Sequence, residues 1–237
     1  MKIAVAGKGG SGKSFIVANL ARLFCGGDGQ VYAVDADPCC GLAVELGLSK
    51  SVYGGIRPIS EMNDYIKAGE DDGALYLSNP DIQNMDGHFN ADVDGIKYLR
   101  MAGIKPPGSG CYCREHDFLR SLLNSALIKS EDALILDMCA GIEHLVRGTV
   151  GGVDILLVVS EPTRASIEAA RTIRTLGLDL GISRAHIVAN KIRSEKEEVQ
   201  IRARFRRGEL IGLIRMAEGA ADVADFEYLY QNIKSIN

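Results

Sequence analysis

The run Gly7-Lys8-Gly9-Gly10-Ser11-Gly12-Lys13-Ser14 directly follows an apolar, β-rich stretch over residues 2–6 and precedes a segment with helical apolar spacing. No other feature of the chain constrains its fold as strongly. Gly, four residues, Gly, Lys and then Ser is the spacing of a phosphate-binding loop. Its glycines let the backbone curl until several N–H groups converge, and the helix that follows points its positive end at the same spot. Such a loop needs a strand before it and a helix after it. The expected nucleotide-binding set is therefore Gly9, Gly10, Ser11, Gly12, Lys13, Ser14 and Phe15. Lys13 is expected to bridge the β and γ phosphates. Ser14 offers a hard hydroxyl oxygen of the kind Mg²⁺ takes beside phosphate.

The remainder reads as repeated βα units. Apolar runs at residues 2–6, 31–35, 74–77, 133–137, 155–159, 186–190 and 210–214 are expected strands, and residues 14–24 and 164–176 carry helical spacing. Several of these runs are unbroken, as in strands covered on both faces. The expected fold is one α/β P-loop NTPase domain over residues 1–237, with a mostly parallel sheet of about seven strands and helices on both faces. Residues 49–116, dense in Gly, Pro, Asn and Asp, read as an irregular insertion.

Charge and hydropathy exclude other classes. With 27 basic against 31 acidic residues the net charge is -4, which argues against nucleic-acid binding by overall basicity. The longest apolar run, near residues 153–159, is far too short to span a bilayer, and the N-terminus lacks the pattern of a secretory signal. The expected location is the cytoplasm, with neither nucleic acid nor membrane as a partner. Six cysteines in that setting read as thiols, metal ligands or redox groups rather than a disulfide framework.

Carboxylates close two of the expected strands. Asp35 and Asp37, at i and i+2, share a face while the chain is extended, and Asp137 ends the run at 133–137. Asn190-Lys191 ends another; an Asn amide offers both a donor and an acceptor.

Lys8 is a second lysine that a simple phosphate cradle does not need. With it, the loop resembles that of the deviant P-loop ATPases, which include nitrogenase iron protein, MinD, ParA and the arsenite-pump ATPases. The resemblance implies an ATP-dependent homodimer in which Lys8 reaches the partner's nucleotide. It implies a catalytic set of Lys8, Lys13 and Asp37, with Asp37 orienting or deprotonating the attacking water. Asp35, Ser14 and Asp137 would hold Mg²⁺ and its water shell, Ala140-Gly141 would sense the γ phosphate, and Asn190 with Lys191 would read adenine.

Cys111-Tyr112-Cys113 follows the turn-rich residues 105–110. In an extended segment both thiols share a face, but two are too few for a closed tetrahedral site, and a two-fold dimer supplies four. Four soft sulfurs suit Zn²⁺, an iron–sulfur cluster or Ni²⁺. The chain as a whole is similar to the CooC-type accessory ATPases, through residues 8–14, 35–38, 111–113, 137–149 and 161–174. That similarity implies a metallochaperone that assists nickel insertion into carbon monoxide dehydrogenase, with Ni²⁺ or Zn²⁺ bound by Cys111 and Cys113 at the dimer interface.

Two rival readings share the loop. An electron-transfer ATPase of the nitrogenase iron-protein type also bridges a metal across a dimer, and Cys139 keeps that reading open. A ParA- or MinD-like positioning ATPase needs a DNA or membrane surface. The acidic residues 220–237 suit an anionic membrane poorly, and for DNA the one dense basic patch, Arg202, Arg204, Arg206 and Arg207, reads as a solvated helix face diluted by nearby glutamates. Cys39, Cys40 and Cys139 read either as small packing residues or as a second metal station. Cys25 reads as core, His116 as a group that tunes the Cys111/Cys113 site, and His144 beside Glu143 as structural.

Overall fold

The computed structural model describes residues 1–61, 66–68, 75–77, 87–101, 130–139, 152–217 and 220–236, with 66–68 and 75–77 described through their backbone alone. Its strands are β1 Lys2–Gly7, β2 Val31–Asp35, β3 Ile66–Ala68, β4 Leu75–Leu77, β5 Asn90–Val93, β6 Ile96–Arg100, β7 Ala133–Asp137, β8 Ile155–Ser160, β9 Ala185–Ile192, β10 Leu210–Ala217 and β11 Ala220–Ala221. The helices used below are α1 Lys13–Phe24, α2 Gly41–Glu45, α3 Lys50–Gly55, α4 Arg164–Asp179, α5 Glu195–Arg202 and α6 Val223–Ile236.

Among the described residues, nine strands form one sheet in the order β11-β10-β9-β8-β1-β7-β2-β6-β5. The seven from β10 to β6 run parallel, and each edge carries one antiparallel strand. The expected single α/β domain is therefore present. Six of the seven expected strands lie in this sheet. The one expected at 74–77 instead pairs with β3 in a separate hairpin.

Its place in the parallel set is taken by β6, whose sequence Ile-Lys-Tyr-Leu-Arg interrupts its apolar residues with charge. The signal for β6 was the turn before it. Asp94 and Gly95 take φ of 51° and 86°, the primed two-residue geometry that suits the twist of a β-hairpin.

Alternation divides the core into two layers. Ile3 and Val5 of β1 join the layer under α1, α2 and α6, while Ala4 and Ala6 join the layer under α4. Helix α1 forms because Ile16, Val17, Leu20, Ala21 and Phe24 recur on one face, all buried. Truncating Leu20 to Ala would cost about 2–5 kcal/mol. Helix α6 lays Phe226, Leu229 and Ile233 on the same layer and is pinned by Asp225, which accepts from Arg215 N at 2.8 Å and Arg215 Nη1 at 2.5 Å. No described helix is long and apolar enough to cross a membrane.

Candidate nucleotide site

The parallel strands deliver their carboxyl ends to one edge, and the loop after β1 sits at its middle. Gly7 and Gly12 have φ of 151° and 93°. A Cβ on Gly7 would stand 2.5 Å from Val159 O, and one on Gly12 would fall on Asn190 Nδ2. Ser11 N donates to Lys8 O at 3.1 Å, and Ile16 N donates to Gly12 O at 3.0 Å. Helix geometry leaves the N–H groups of Lys13, Ser14 and Phe15 without intrahelical acceptors, an arrangement suited to an anion. The Phe15 ring itself packs edge-on against Phe226, with centroids 5.6 Å apart.

Lys13 is buried, and so is the Ser11 hydroxyl, whose oxygen has no hydrogen-bond partner. Lys8 is exposed.

Three carboxylates meet the loop. Ser14 Oγ donates to Asp137 Oδ2 at 2.5 Å, while Asp137 Oδ1 is buried and unpartnered. Asp35 lies opposite Asp137 in the β2–β7 register. Its Oδ1 accepts from Asp37 N at 3.1 Å and its Oδ2 from the fully buried Tyr98 hydroxyl at 3.3 Å. Asp37 is half-buried and its Oδ1 accepts from Cys39 N at 2.9 Å. Burial and then the neighbouring Asp137 push the Asp35 carboxyl up to about 7. Burial likewise raises Asp137 to about 6, opposed by the Ser14 hydrogen bond and the Lys13 charge. A buried hydroxyl–carboxylate pair with an orphaned oxygen fits Mg²⁺, which prefers hard oxygen donors and relieves like-charge crowding.

Asn190 is buried against the loop. Its Nδ2 donates to Ser11 O at 2.9 Å, and its Oδ1 accepts from Lys191 N at 2.9 Å. Lys191, with φ of 61°, donates from Nζ to Gly10 O at 2.5 Å and pairs with Glu161 Oε1 at 2.6 Å. Glu161 and Tyr98 are site residues that sequence reasoning missed. Tyr98 belongs to the unexpected strand β6, and Glu161 stands one residue beyond β8, at the same edge as the loop.

The thiols follow their surroundings. Cys139 Sγ donates to Ala36 O at 2.7 Å, tying the segment after β7 to the segment after β2, and burial pushes this thiol up to about 12. Cys40 is buried at φ 55° with Sγ 3.7 Å from Pro38 O, and Cys39 is exposed. Among the described residues no group of three or more His, Cys, Asp or Glu is placed to hold a metal ion. Cys25 caps α1 and is half-buried rather than core. Cys111, Cys113, His116, Ala140, Gly141, Glu143 and His144 lie outside the described residues.

Known proteins resemble this chain in sequence or in fold. The family described as the CobQ/CobB/MinD/ParA nucleotide binding domain matches residues 2–226. The carbon monoxide dehydrogenase accessory protein CooC of Rhodospirillum rubrum is 39% identical over 229 residues, covering 95% of this chain and 87% of its own. An uncharacterized ATP-binding protein of Methanocaldococcus jannaschii is 37% identical over 84% of this chain and 78% of its own. Among solved structures, a plasmid partition protein of Borrelia burgdorferi superposes with a TM-score of 0.69 at 14% identity, covering 99% and 97% of the two chains. MinD of Aquifex aeolicus gives 0.60 at 18%, covering 99% and 96%. At those identities the structural likeness speaks for the fold alone.

Proposed function

We propose a function from the premise that this chain belongs to the CobQ/CobB/MinD/ParA nucleotide-binding family. It is an ATPase. Our reading of its task is metal delivery: an accessory ATPase that assists nickel insertion into carbon monoxide dehydrogenase. The observation that carries this reading is the 39% identity to the R. rubrum accessory protein across 95% of the chain.

Within that reading Lys13 and the first-turn amides of α1 hold the phosphates, and the buried Lys13 charge meets them where water is largely excluded. Ser14 and Asp137, with Asp35 behind them, would hold Mg²⁺, which when bound neutralises phosphate charge. Asp37, at the open end of β2, is assigned to the attacking water, and Lys8 to the nucleotide of a second copy. Asn190, which braces the loop through Ser11 O, keeps a second N–H and a second lone pair, and with Lys191 it is assigned to the adenine edge. Cys111 and Cys113 from two copies are assigned to the cargo, Ni²⁺ or Zn²⁺. ATP drives capture only if the closed dimer binds that metal more tightly than the open form.

The test is metal content and oligomeric mass, measured together and anaerobically, without nucleotide, with ADP and with ATP. Metal at one per dimer that is lost in Cys111→Ser/Cys113→Ser is the expected result. Metal-free wild type that still dimerises with ATP would sink the proposal, and a brown protein with a cluster spectrum would favour the electron carrier.

A further inference from the structure

The arginines of α4 and of the segment after α5 divide into two kinds. Arg171 and Arg174, on α4, are committed to holding the segment between α5 and β10 in place. Arg171 Nη2 donates to Arg204 O at 2.6 Å, its guanidinium lies 5.9 Å from the Phe205 ring centroid, and its Nη1 pairs with Glu168 at 3.1 Å. Arg174 donates to Ala185 O at 2.8 Å and pairs with Glu209 at 3.1 Å. Arg164, Arg204 and Arg206 are exposed, and their guanidiniums have no partner among the described residues.

These free cations rim a groove. Between the start of α4 and the end of α5 lies a cavity of about 750 Å³ lined by Pro162, Arg164, Ile167, Glu168, Ala203 and Arg204, with Gln200 completing it. A second hollow of about 410 Å³ shares Arg204 and continues past Phe205 to Arg206. Val199 stands four residues before Ala203, on the same side of α5, and is 62% exposed. The surface thus combines an apolar floor with guanidiniums held out at its edge. It is too long for a single small anion.

We infer that this groove, between α4 and the α5–β10 segment, is a docking surface for an acidic, partly apolar segment of a partner protein. Guanidinium forks match carboxylates bidentately, and an apolar side chain between two carboxylates would reach Ile167 and Ala203. A nucleic-acid backbone fits poorly. Glu168 and Glu209, which line the same hollows, are already paired with Arg171 and Arg174, and a row of phosphates has no apolar group to offer Ile167 and Ala203. The inference goes beyond metal delivery and does not depend on which client is served.

The groove is also wired to the loop. Glu161, one residue before Pro162, pairs with Lys191, which donates to Gly10 O. The Ser166 hydroxyl, in the first turn of α4, accepts from Glu161 N at 3.0 Å.

The test is fluorescence anisotropy of the full-length protein with a labelled short peptide carrying glutamates around a pair of leucines. A lysine-for-glutamate counterpart and a random-sequence DNA duplex serve as competing probes. The acidic peptide should bind the wild type, weaken with added salt, and bind Arg164→Glu/Arg204→Glu about tenfold or more less tightly. ATPase activity in that variant reports that it has folded. The milder Arg164→Gln/Arg204→Gln variant, with an intermediate loss, serves if the charge reversal does not fold. Failure of the acidic peptide to bind the wild type, or equal binding to the variants, overturns the inference. Preferential DNA binding abolished by the same changes overturns it in favour of a nucleic-acid surface. Loss of dimer mass in the variants, without loss of peptide binding, overturns it in favour of a second copy of the chain.

Discussion

Asp35 and Asp137 face one another across the β2–β7 register, both fully buried, beneath the loop that ends in Lys13 and Ser14. Two carboxylates so placed cannot both ionise cheaply without a cation between them and solvent. The ionic balance of the site is therefore incomplete until its substrate arrives.

That pairing sets a pH dependence. The folded-state values, about 7 for Asp35 and about 6 for Asp137, lie above the ordinary 3.8. A carboxyl raised in the folded state contributes stability that is fully present below its unfolded value and is lost as pH rises through the folded one. The melting temperature of nucleotide-free protein should carry a component that falls by ~3–6 °C between pH 5 and pH 8. Asp35→Asn should flatten it. A slope unchanged in that variant would assign the dependence elsewhere.

Lys8 and Lys13 should separate kinetically. Lys13, buried against the acids, is expected on truncation to abolish ATP binding. Lys8, exposed, should on truncation leave binding intact while lowering turnover roughly 10²-fold or more and removing ATP-driven dimerisation. Equilibrium binding of a fluorescent ATP analogue, alongside phosphate release, reads both. Normal phosphate release by Lys8→Ala would mean that the residue acts on no partner.

Asn190 braces the loop through Ser11 O. Asn190→Ala leaves that buried carbonyl without its donor, so unfolding free energy should drop by about 1–3 kcal/mol and ATP affinity roughly tenfold. If the residue instead read only the base, affinity for ATP would fall relative to GTP while stability stayed unchanged. Paired denaturant titrations and ATP/GTP competition distinguish the two.

The Cys139 thiol, raised to about 12 and bonded to Ala36 O, should resist iodoacetamide at pH 8 while the exposed Cys39 reacts. Peptide mass mapping over time checks the order. Mg²⁺ and ATP, by drawing on the segments after β2 and β7, should change the Cys139 rate more than the Cys25 rate.

Much of this molecule was legible because its chemistry is local. The loop carries its whole argument in eight consecutive residues, and β1, β7 and β8 carry unbroken apolar runs that few other structures would accept. β6 was hidden because it lies next to the sheet edge, where Lys97 and Arg100 can remain partly exposed and interrupt the pattern. Tyr98 was hidden with it, since its hydrogen bond to Asp35 spans 63 positions and no short-range pattern reports it. Glu161 and Lys191 likewise meet only because β8 and β9 are neighbours. Burial of Asn190 against Ser11, and the sulfur contact from Cys139 to Ala36, depend on the same long-range closure.

Strand β1 holds the loop at the middle of the sheet, with Lys2 paired to Leu134 and Ile3 to Ile155. On the ribosome, β1 emerges long before β7 and β8 and must wait for both neighbours until they too have been made. Until then an apolar strand with two open edges is exposed, a state prone to pairing with other nascent chains. Synthesis of this protein is accordingly its most vulnerable interval, and a slower passage through the segment before β7 would lengthen it.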